Sequence, residues 1–211
     1  MLPSDMHFLE RGWLSSNSLL LLDRHDAILI DSGYHTHAEQ TVALVRHALQ
    51  GRQLKGLINT HLHSDHCGGN AAIQDHWTQV QTSIPNSSAI AVRDWDEVKL
   101  TYKPTGQFCP RFSFEAVLTP GTRVQAGLRT WEVHAAPGHD PDSILMFQPD
   151  TGVLLSADAL WEHGFGVVFP EISGEAGFED VGNTLDLIQQ DRKSTRLNSS
   201  HIPLSRMPSS A

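Results

Sequence analysis

Three imidazoles and one carboxylate lie within six consecutive residues of this chain, in the segment His61-Leu62-His63-Ser64-Asp65-His66. Imidazole nitrogen and carboxylate oxygen are the ligands that Zn²⁺ and similar borderline cations prefer. The segment follows an apolar run, Leu57-Ile58-Asn59-Thr60, which is typical of a short buried strand, and it precedes Gly68 and Gly69, which indicate a turn. The pattern therefore predicts a metal site at the end of a strand.

This segment resembles the signature of the metallo-β-lactamase superfamily, His-x-His-x-Asp-His, at every position. Two later segments resemble the downstream ligand positions of the family. Ala136-Pro137-Gly138-His139-Asp140 has a histidine in a Gly-His turn, and Leu154-Leu155-Ser156-Ala157-Asp158 has an aspartate that closes a strand. The chain is therefore identified, by resemblance, as a metallohydrolase of this superfamily.

The resemblance implies two metal sites that share one carboxylate. The ligands that it implies are His61, His63 and His139 for one metal, Asp65 and His66 for the other, and Asp158 as the bridge. The family completes its second site with one more histidine on a later loop, and the sequence offers no convincing candidate for it. The metal that the resemblance implies is Zn²⁺, two ions per complete site, with iron and manganese as alternatives.

The resemblance also implies the reaction. A hydroxide held between two metal ions is nucleophilic near neutral pH, because coordination lowers the pKa of water from about 15.7 to roughly 7. One metal would polarise the scissile carbonyl, and Asp65 would orient the hydroxide and move its proton. The expected substrate is a small molecule with an ester, thioester, lactone or β-lactam carbonyl.

Two other functions stay open, namely a nuclease of the same superfamily that acts on phosphodiesters and a non-catalytic metal-binding or redox protein on the same scaffold. The formal net charge of the chain is −9, and residues 1–190 alone have 11 basic and 23 acidic residues, a net charge of −12. An acidic chain without a Lys/Arg cluster repels a phosphate backbone, so no nucleic acid is expected as a partner. His63 argues against a redox protein, because the redox branch of the family normally has glutamate there.

Aromatic residues directly after Asp158 are candidates for the substrate pocket. Trp161 and His163 are predicted to contact the substrate, and Phe165 and Phe169 could line the same pocket. Aromatic packing beneath a loop explains these residues equally well, because such side chains bury large areas in any core. The sequence does not choose between the two interpretations.

Two further aspartates are predicted to accept hydrogen bonds from the histidines that bind metal, without binding metal themselves. Asp31 closes an early strand near the place where the family has its site, and Asp140 follows His139 directly. A carboxylate that accepts a hydrogen bond from a ligating imidazole fixes the tautomer and orientation of that ring. For Asp140 an Asp-Pro turn is an alternative explanation.

The chain from residue 191 onward is predicted not to be native protein. The segments Asp191 to His201 and Ser205 to Ala211 resemble the translation of a short-read sequencing adapter. Residues 1–190 are therefore expected to form one truncated domain, and residues 191–211 are expected to be a disordered tail that is left out of fold reasoning. For this reason His201 is not counted as the missing metal ligand.

Hydrophobic patterning predicts the elements that position these residues. Strands are expected within 8–22 and 27–31, at Leu57, and in a second block from 116 to 157. A helix is expected after a capping box formed by Thr36 and Glu39, and a final helix at 178–188. Periodicity alone indicates a mixed α and β class, whereas the resemblance implies a four-layer αββα sandwich that is incomplete at the C-terminus.

The N-terminus has neither a basic start nor an apolar stretch of signal-peptide length, so the chain is expected to be cytoplasmic. The apolar run from Leu19 to Leu22 is too short to cross a membrane, and no membrane partner is expected. The oligomeric state is left open. The two cysteines, Cys67 and Cys109, make no disulfide framework and are predicted to be packing residues.

The missing histidine leads to a prediction about metal content. If the second metal lacks a ligand, we expect the 211-residue product to bind one metal ion more tightly than two, to be nearly inactive and to aggregate readily. Metal analysis of the purified product, combined with a hydrolysis assay, checks this expectation. Two tightly bound ions per chain with full hydrolytic activity would contradict it.

Overall fold

The N-terminal half of the chain forms a six-stranded sheet with its strands in chain order. The fold is described from a computed structural model, which covers residues 2–161, 164–172, 174–190 and 195–197. The strands are β1 Met6–Leu9, β2 Ser18–Leu22, β3 Asp26–Ile30, β4 Gln53–Ile58, β5 Gln81–Pro85 and β6 Ala116–Leu118. The first three pair antiparallel and the pairs from β3 to β6 are parallel, so the carboxyl ends of β3, β4 and β5 meet at one edge.

A second sheet has the strand order β11-β10-β9-β8-β7. Its strands are β7 Arg123–Ala126, β8 Arg129–Ala135, β9 Ile144–Gln148, β10 Val153–Leu155 and β11 Thr195–Leu197. The pairs between β7 and β10 are antiparallel, as expected for strands joined by short turns. The strand β11 pairs parallel with β10.

Helices cover the outer faces of both sheets. They are α1 Ala38–Leu49, α2 Ser64–Cys67, α3 Asn70–His76, α4 Ala89–Asp94, α5 Tyr102–Thr105, α6 Phe169–Ile172 and α7 Phe178–Gln190. Val42, Val45 and Ile73 of α1 and α3 pack on the first sheet, and Ile188 of α7 packs on the second. The prediction of four αββα layers is confirmed. None of the described helices is long and apolar enough to cross a membrane.

The main core lies between the two sheets. Leu19, Leu21 and Ile30 of the first sheet pack against the second sheet, where Trp131 and Met146 are fully buried. Burial of such large apolar side chains is the dominant favourable term in folding. The indole of Trp131 donates a hydrogen bond to the carbonyl of Ala126 at 3.2 Å, so its one polar atom is satisfied inside the core.

Two details differ from the sequence-based expectations. The predicted capping box is wrong, because a short 3₁₀ turn, His35–His37, precedes α1 and makes His37 the N-cap, which has no side-chain cap bond. Within the segment predicted to be a disordered tail, Thr195–Leu197 forms β11. Residues 191–194 and 198–211, including His201, lie outside the described residues.

The inter-sheet core leads to a stability prediction. We expect Trp131→Ala to lower the free energy of unfolding by about 3–5 kcal/mol, because it removes the largest fully buried side chain and leaves a cavity. Thr130→Ala, on the exposed face of the same strand, is the matched control and should change it by less than about 1 kcal/mol. Urea unfolding measures both, and equal losses would contradict the packing described above.

Candidate metal centre

Three histidine rings converge at one point. Nε2 of His61 lies 3.2 Å from Nδ1 of His63, and that Nδ1 lies 2.9 Å from Nε2 of His139. His61 and His63 lie in the loop between β4 and α2, whereas His139 lies in the loop between β8 and β9. The two sheets therefore contribute to one cluster, whose three nitrogen atoms all lie within 4.8 Å of one another.

In two of these rings, the nitrogen that points away from the cluster contacts a hydrogen-bond acceptor. Nε2 of His63 lies 3.3 Å from a carboxylate oxygen of Asp140, and Nδ1 of His139 donates to the carbonyl oxygen of Val167 at 2.7 Å. Each contact uses the ring nitrogen that points away from the cluster. The inward-facing nitrogen is then left as the unprotonated lone-pair donor, which is the arrangement expected around a metal-ligating histidine.

A second cluster shares atoms with the first. Nε2 of His66 lies 3.3 Å from Oδ1 of Asp158, and Oδ2 of Asp158 lies 3.3 Å from Nε2 of His139. His61 completes the second group within the same 4.8 Å limit. Asp158 follows β10, and its two oxygen atoms face the two clusters separately. The bridging role that the resemblance implies for Asp158 stays a prediction.

Asp31 fixes the orientation of His66. The completely buried carboxylate of Asp31 accepts hydrogen bonds from Nδ1 of His66 at 2.8 Å, from the hydroxyl of Thr60 at 2.8 Å and from the backbone N–H of Thr60 at 2.9 Å. Its φ of 56° lies in the left-handed region, which is uncommon outside glycine. The three hydrogen bonds to its carboxylate offset the local strain. The one from His66 turns the imidazole towards Asp158.

Carboxylates dominate the electrostatics around His66. Burial lowers the pKa of His66, but the carboxylates of Asp158, Asp31 and Asp65 raise it more, so this pKa lies well above its ordinary value. Burial also lowers the pKa of His139. Although burial alone would raise the pKa of Asp158, its imidazole neighbours hold that pKa below the usual range. A site that binds a proton this strongly on His66 is a site of negative potential.

The residues fit a metal ion on two observations. Nε2 of His66 and Oδ1 of Asp158 are buried and make no hydrogen bond among the described residues, but they lie 3.3 Å apart, a spacing that suits two ligands of one metal ion. The inward nitrogens of His61, His63 and His139 are also spaced 2.9–3.2 Å apart along the cluster. Ligand nitrogens about 2.0–2.1 Å from a tetrahedral zinc ion are separated by roughly 3.3 Å, so the spacing is close to that of a metal site.

Asp65 lies beside the clusters but outside both groups of converging atoms. One of its carboxylate oxygens is 3.7 Å from Nε2 of His66, and the side chain keeps 21% of its surface exposed. Its backbone carbonyl accepts a hydrogen bond from Ser16 at 2.9 Å, which ties α2 to the loop between β1 and β2. The metal and proton-transfer roles of Asp65 stay predictions.

The aromatic candidates after Asp158 have different positions. Phe169 packs edge-on against His63 and His139, with ring centroids 5.2 and 5.3 Å apart. Trp161 forms an isolated bridge with Gly164, and its indole nitrogen is buried without a hydrogen-bond partner among the described residues. His163 lies outside the described residues. Substrate contacts by Trp161 and His163 therefore stay predictions.

Sequence reasoning missed Thr60 and Val167. Thr60 has a sequence signal, because it lies two residues after β4, whose end pairs with the end of β3 just before Asp31, and polar residues that follow neighbouring strands tend to meet. Val167 has none, because it acts through its backbone carbonyl. Any residue type carries this acceptor.

The fold agrees with comparisons to known proteins. The family model of the metallo-beta-lactamase superfamily matches residues 11–201, and the chain belongs to this superfamily. The match overlaps the first eleven residues of the segment that the sequence analysis sets aside as non-native, 191–201. A metallo-beta-lactamase family protein from Thermus thermophilus has the same fold, with a TM-score of 0.76 and 17% identity over 95% of this chain and 74% of that protein.

Two curated relatives match most of this chain but only part of their own length. A hydroxyacylglutathione hydrolase from Thermosynechococcus vestitus is 27% identical over 188 residues, which are 89% of this chain and 64% of the relative. A metallo-beta-lactamase type 2 from Pseudomonas aeruginosa is 27% identical over 158 residues, 74% of this chain and 57% of the relative. The chain therefore spans less than two thirds of the length of either.

The hydrogen bond from His66 to Asp31 leads to a metal-binding prediction. We expect Asp31→Ala to weaken zinc binding at the cluster that contains His66 by about 10–100-fold, because the ring loses the acceptor that fixes its tautomer. Asp26→Ala, at the opposite end of the same strand, is the control and should leave zinc affinity unchanged. Competition with a chromophoric chelator measures both, and unchanged affinity in Asp31→Ala would contradict the role of Asp31.

Proposed function

We propose that this chain is a metal-dependent hydrolase of small carbonyl substrates, with zinc as the metal and an ester, thioester, lactone or β-lactam as the substrate. The observation that carries the proposal is the pair of clusters joined by Asp158, in which four imidazoles and a carboxylate converge. The names of two relatives, a hydroxyacylglutathione hydrolase and a metallo-beta-lactamase, support hydrolysis as the reaction class.

The ligand set suits a hydrolytic metal. His61, His63 and His139 would hold one ion, and His66 and Asp158 would hold a second. A bound Zn²⁺ ion lowers the pKa of a coordinated water from about 15.7 to roughly 7 and polarises a carbonyl oxygen. Three neutral imidazoles leave the net positive charge of such an ion largely intact, which favours this chemistry over tight structural binding.

Asp65 is the residue proposed to move the proton. It is the partly exposed carboxylate of the site, so it reaches both solvent and the converging ligand atoms. A carboxylate in this position accepts a proton from the attacking water and passes it to the leaving group. Its place in the first turn of α2, tied to Ser16 through the backbone, keeps the side chain at a fixed distance from His66.

A cavity large enough for a small molecule lies behind the ring of His63. It has a volume of about 330 Å³ and is lined by Asp140, which contacts the nitrogen of His63 that points away from the cluster, and not by the proposed metal ligands. Ligand pockets of small molecules are typically about 300–1,000 Å³. Lys99 lines this cavity and supplies a positive charge. Thr101 lines it too, and its φ of 66° lies in the left-handed region. Strained backbone is typical of functional sites.

The test is hydrolysis that depends on the metal ligands. We expect the zinc-loaded chain to hydrolyse at least one member of an ester, thioester, lactone and β-lactam panel, at a low but measurable rate. Chelation should abolish this activity and zinc should restore it. His139→Ala should lower kcat/KM by about 100-fold or more, because the metal supplies several kcal/mol of transition-state stabilisation.

His134→Ala is the matched control for that test. His134 is a histidine of β8, only five residues before His139, and it pairs with Glu132. The control should keep the full rate and the full zinc content. Hydrolysis that survives chelation, or an equal loss of activity in both variants, would contradict the proposal.

A further inference from the structure

The segment from 165 to 169 presents three apolar side chains to solvent beside the metal ligands. Phe165, Val167 and Phe169 are 43%, 46% and 40% exposed, whereas the residues between them, Gly166 and Val168, are buried. This alternation leaves one face of the segment apolar. We call the three exposed side chains the apolar strip.

The backbone of the strip is attached directly to the ligands. Gly166 donates a hydrogen bond to the carbonyl of Asp158 at 3.1 Å, and the carbonyl of Val167 accepts from His139 at 2.7 Å. A Cβ at Gly166 would lie 2.5 Å from the Asp158 carbonyl oxygen and 2.8 Å from Nδ1 of His139, so only glycine permits this approach. The position of the strip relative to the clusters is therefore fixed.

Phe169 links the strip to the reaction centre. Its ring lies edge-on to His63 at 5.2 Å and to His139 at 5.3 Å between centroids. Because Phe169 contacts both imidazoles, a substrate bound at the metal would lie within reach of the apolar strip. Exposed apolar residues are ordinary on protein surfaces, so what distinguishes this strip is the contact of Phe169 with two of the proposed metal ligands, and not its size.

We infer that the apolar strip binds the hydrocarbon part of the acyl group of the substrate, so that the enzyme selects esters or thioesters of medium-length apolar acids. This inference rests on the proposed hydrolytic function and names its substrate class. The strip would contact one side of an alkyl chain whose carbonyl lies at the metal ligands.

The area of the strip favours an alkyl chain over a second protein copy. The two phenylalanine side chains present at most about 150–250 Å² each and the valine less, so three side chains that are less than half exposed offer roughly 200 Å². A stable protein interface needs about 800 Å² from each partner. An alkyl chain of six to eight carbons matches the smaller area.

The experiment measures binding of butanoate, hexanoate and octanoate to the zinc-loaded full chain by titration calorimetry. All three ligands share the carboxylate, so the ratio of their affinities reports the alkyl contact alone. Full burial of one methylene corresponds to roughly fourfold in affinity, and contact on one side to roughly twofold. We therefore expect octanoate to bind about 16-fold more tightly than butanoate.

Substitutions in the strip should remove this dependence. Phe169→Ala should reduce the ratio of octanoate to butanoate affinity to a few-fold, and Phe169→Leu, which keeps apolar bulk and guards against misfolding, should restore most of it. Leu128→Ala is the control, because Leu128 is at least as exposed but lies in the turn between β7 and β8. It should keep the 16-fold ratio.

The outcomes separate this inference from the proposed function. Hydrolysis of p-nitrophenyl acetate without any preference for longer ligands would overturn the inference and leave the hydrolase intact. A preference for longer ligands without hydrolysis of any ester would support the strip as a binding surface and overturn the proposed function. A wild-type dimer that becomes monomeric in Phe169→Ala, seen by sedimentation, would assign the strip to a second copy and overturn the inference.

Discussion

The concentration of carboxylates around one buried imidazole is the constraint on which the rest of the site depends. Asp31 and Asp158 are buried on either side of His66, and Asp65 lies 3.7 Å from the same ring. Burying anionic groups is costly unless each is paired or hydrogen-bonded. The fold meets this cost for Asp31 with three hydrogen bonds, whereas the two oxygens of Asp158 lie 3.3 Å from His66 and His139. A metal ion would add a further positive charge here, so the carboxylates that are costly to bury would also favour metal binding.

The site also depends on the packing of two sheets that each carry half of it. Thr60 shows the connection, because its side chain supports Asp31 in the first sheet while its carbonyl accepts a hydrogen bond from Ile144 of the second sheet at 2.9 Å. His139 and Asp158 come from the second sheet and meet the histidines of the first only when this junction forms. The apolar core around Trp131 therefore has a catalytic consequence, because separating the sheets would separate the ligands.

The sequence predicts the parts of the site that are encoded by residue type and local spacing. The histidine-rich loop stands out by residue type and spacing, whereas His139, Asp158 and Asp31 are predicted through resemblance to the metallo-β-lactamase superfamily, and the structure places all of them close together. The carbonyl of Val167 was not predictable, since every residue has one. The partner of Asp140 was not predictable either, because it contacts His63, which is distant in sequence, rather than its neighbour His139. Such pairings are decided by tertiary packing alone.

The proposed metal centre and the proposed acyl-binding strip share one short segment of backbone. The carbonyl of Val167 orients His139, and the side chains on either side of that carbonyl form the apolar strip. Because the contact uses backbone atoms, the side chains at 165, 167 and 169 can change without changing the acceptor that holds His139. Gly166 cannot change in this way, because any Cβ would collide with the backbone that follows β10 and with the ring of His139. Under the proposed function, substitutions on either side of this glycine would change what the loop binds while its backbone kept His139 in place.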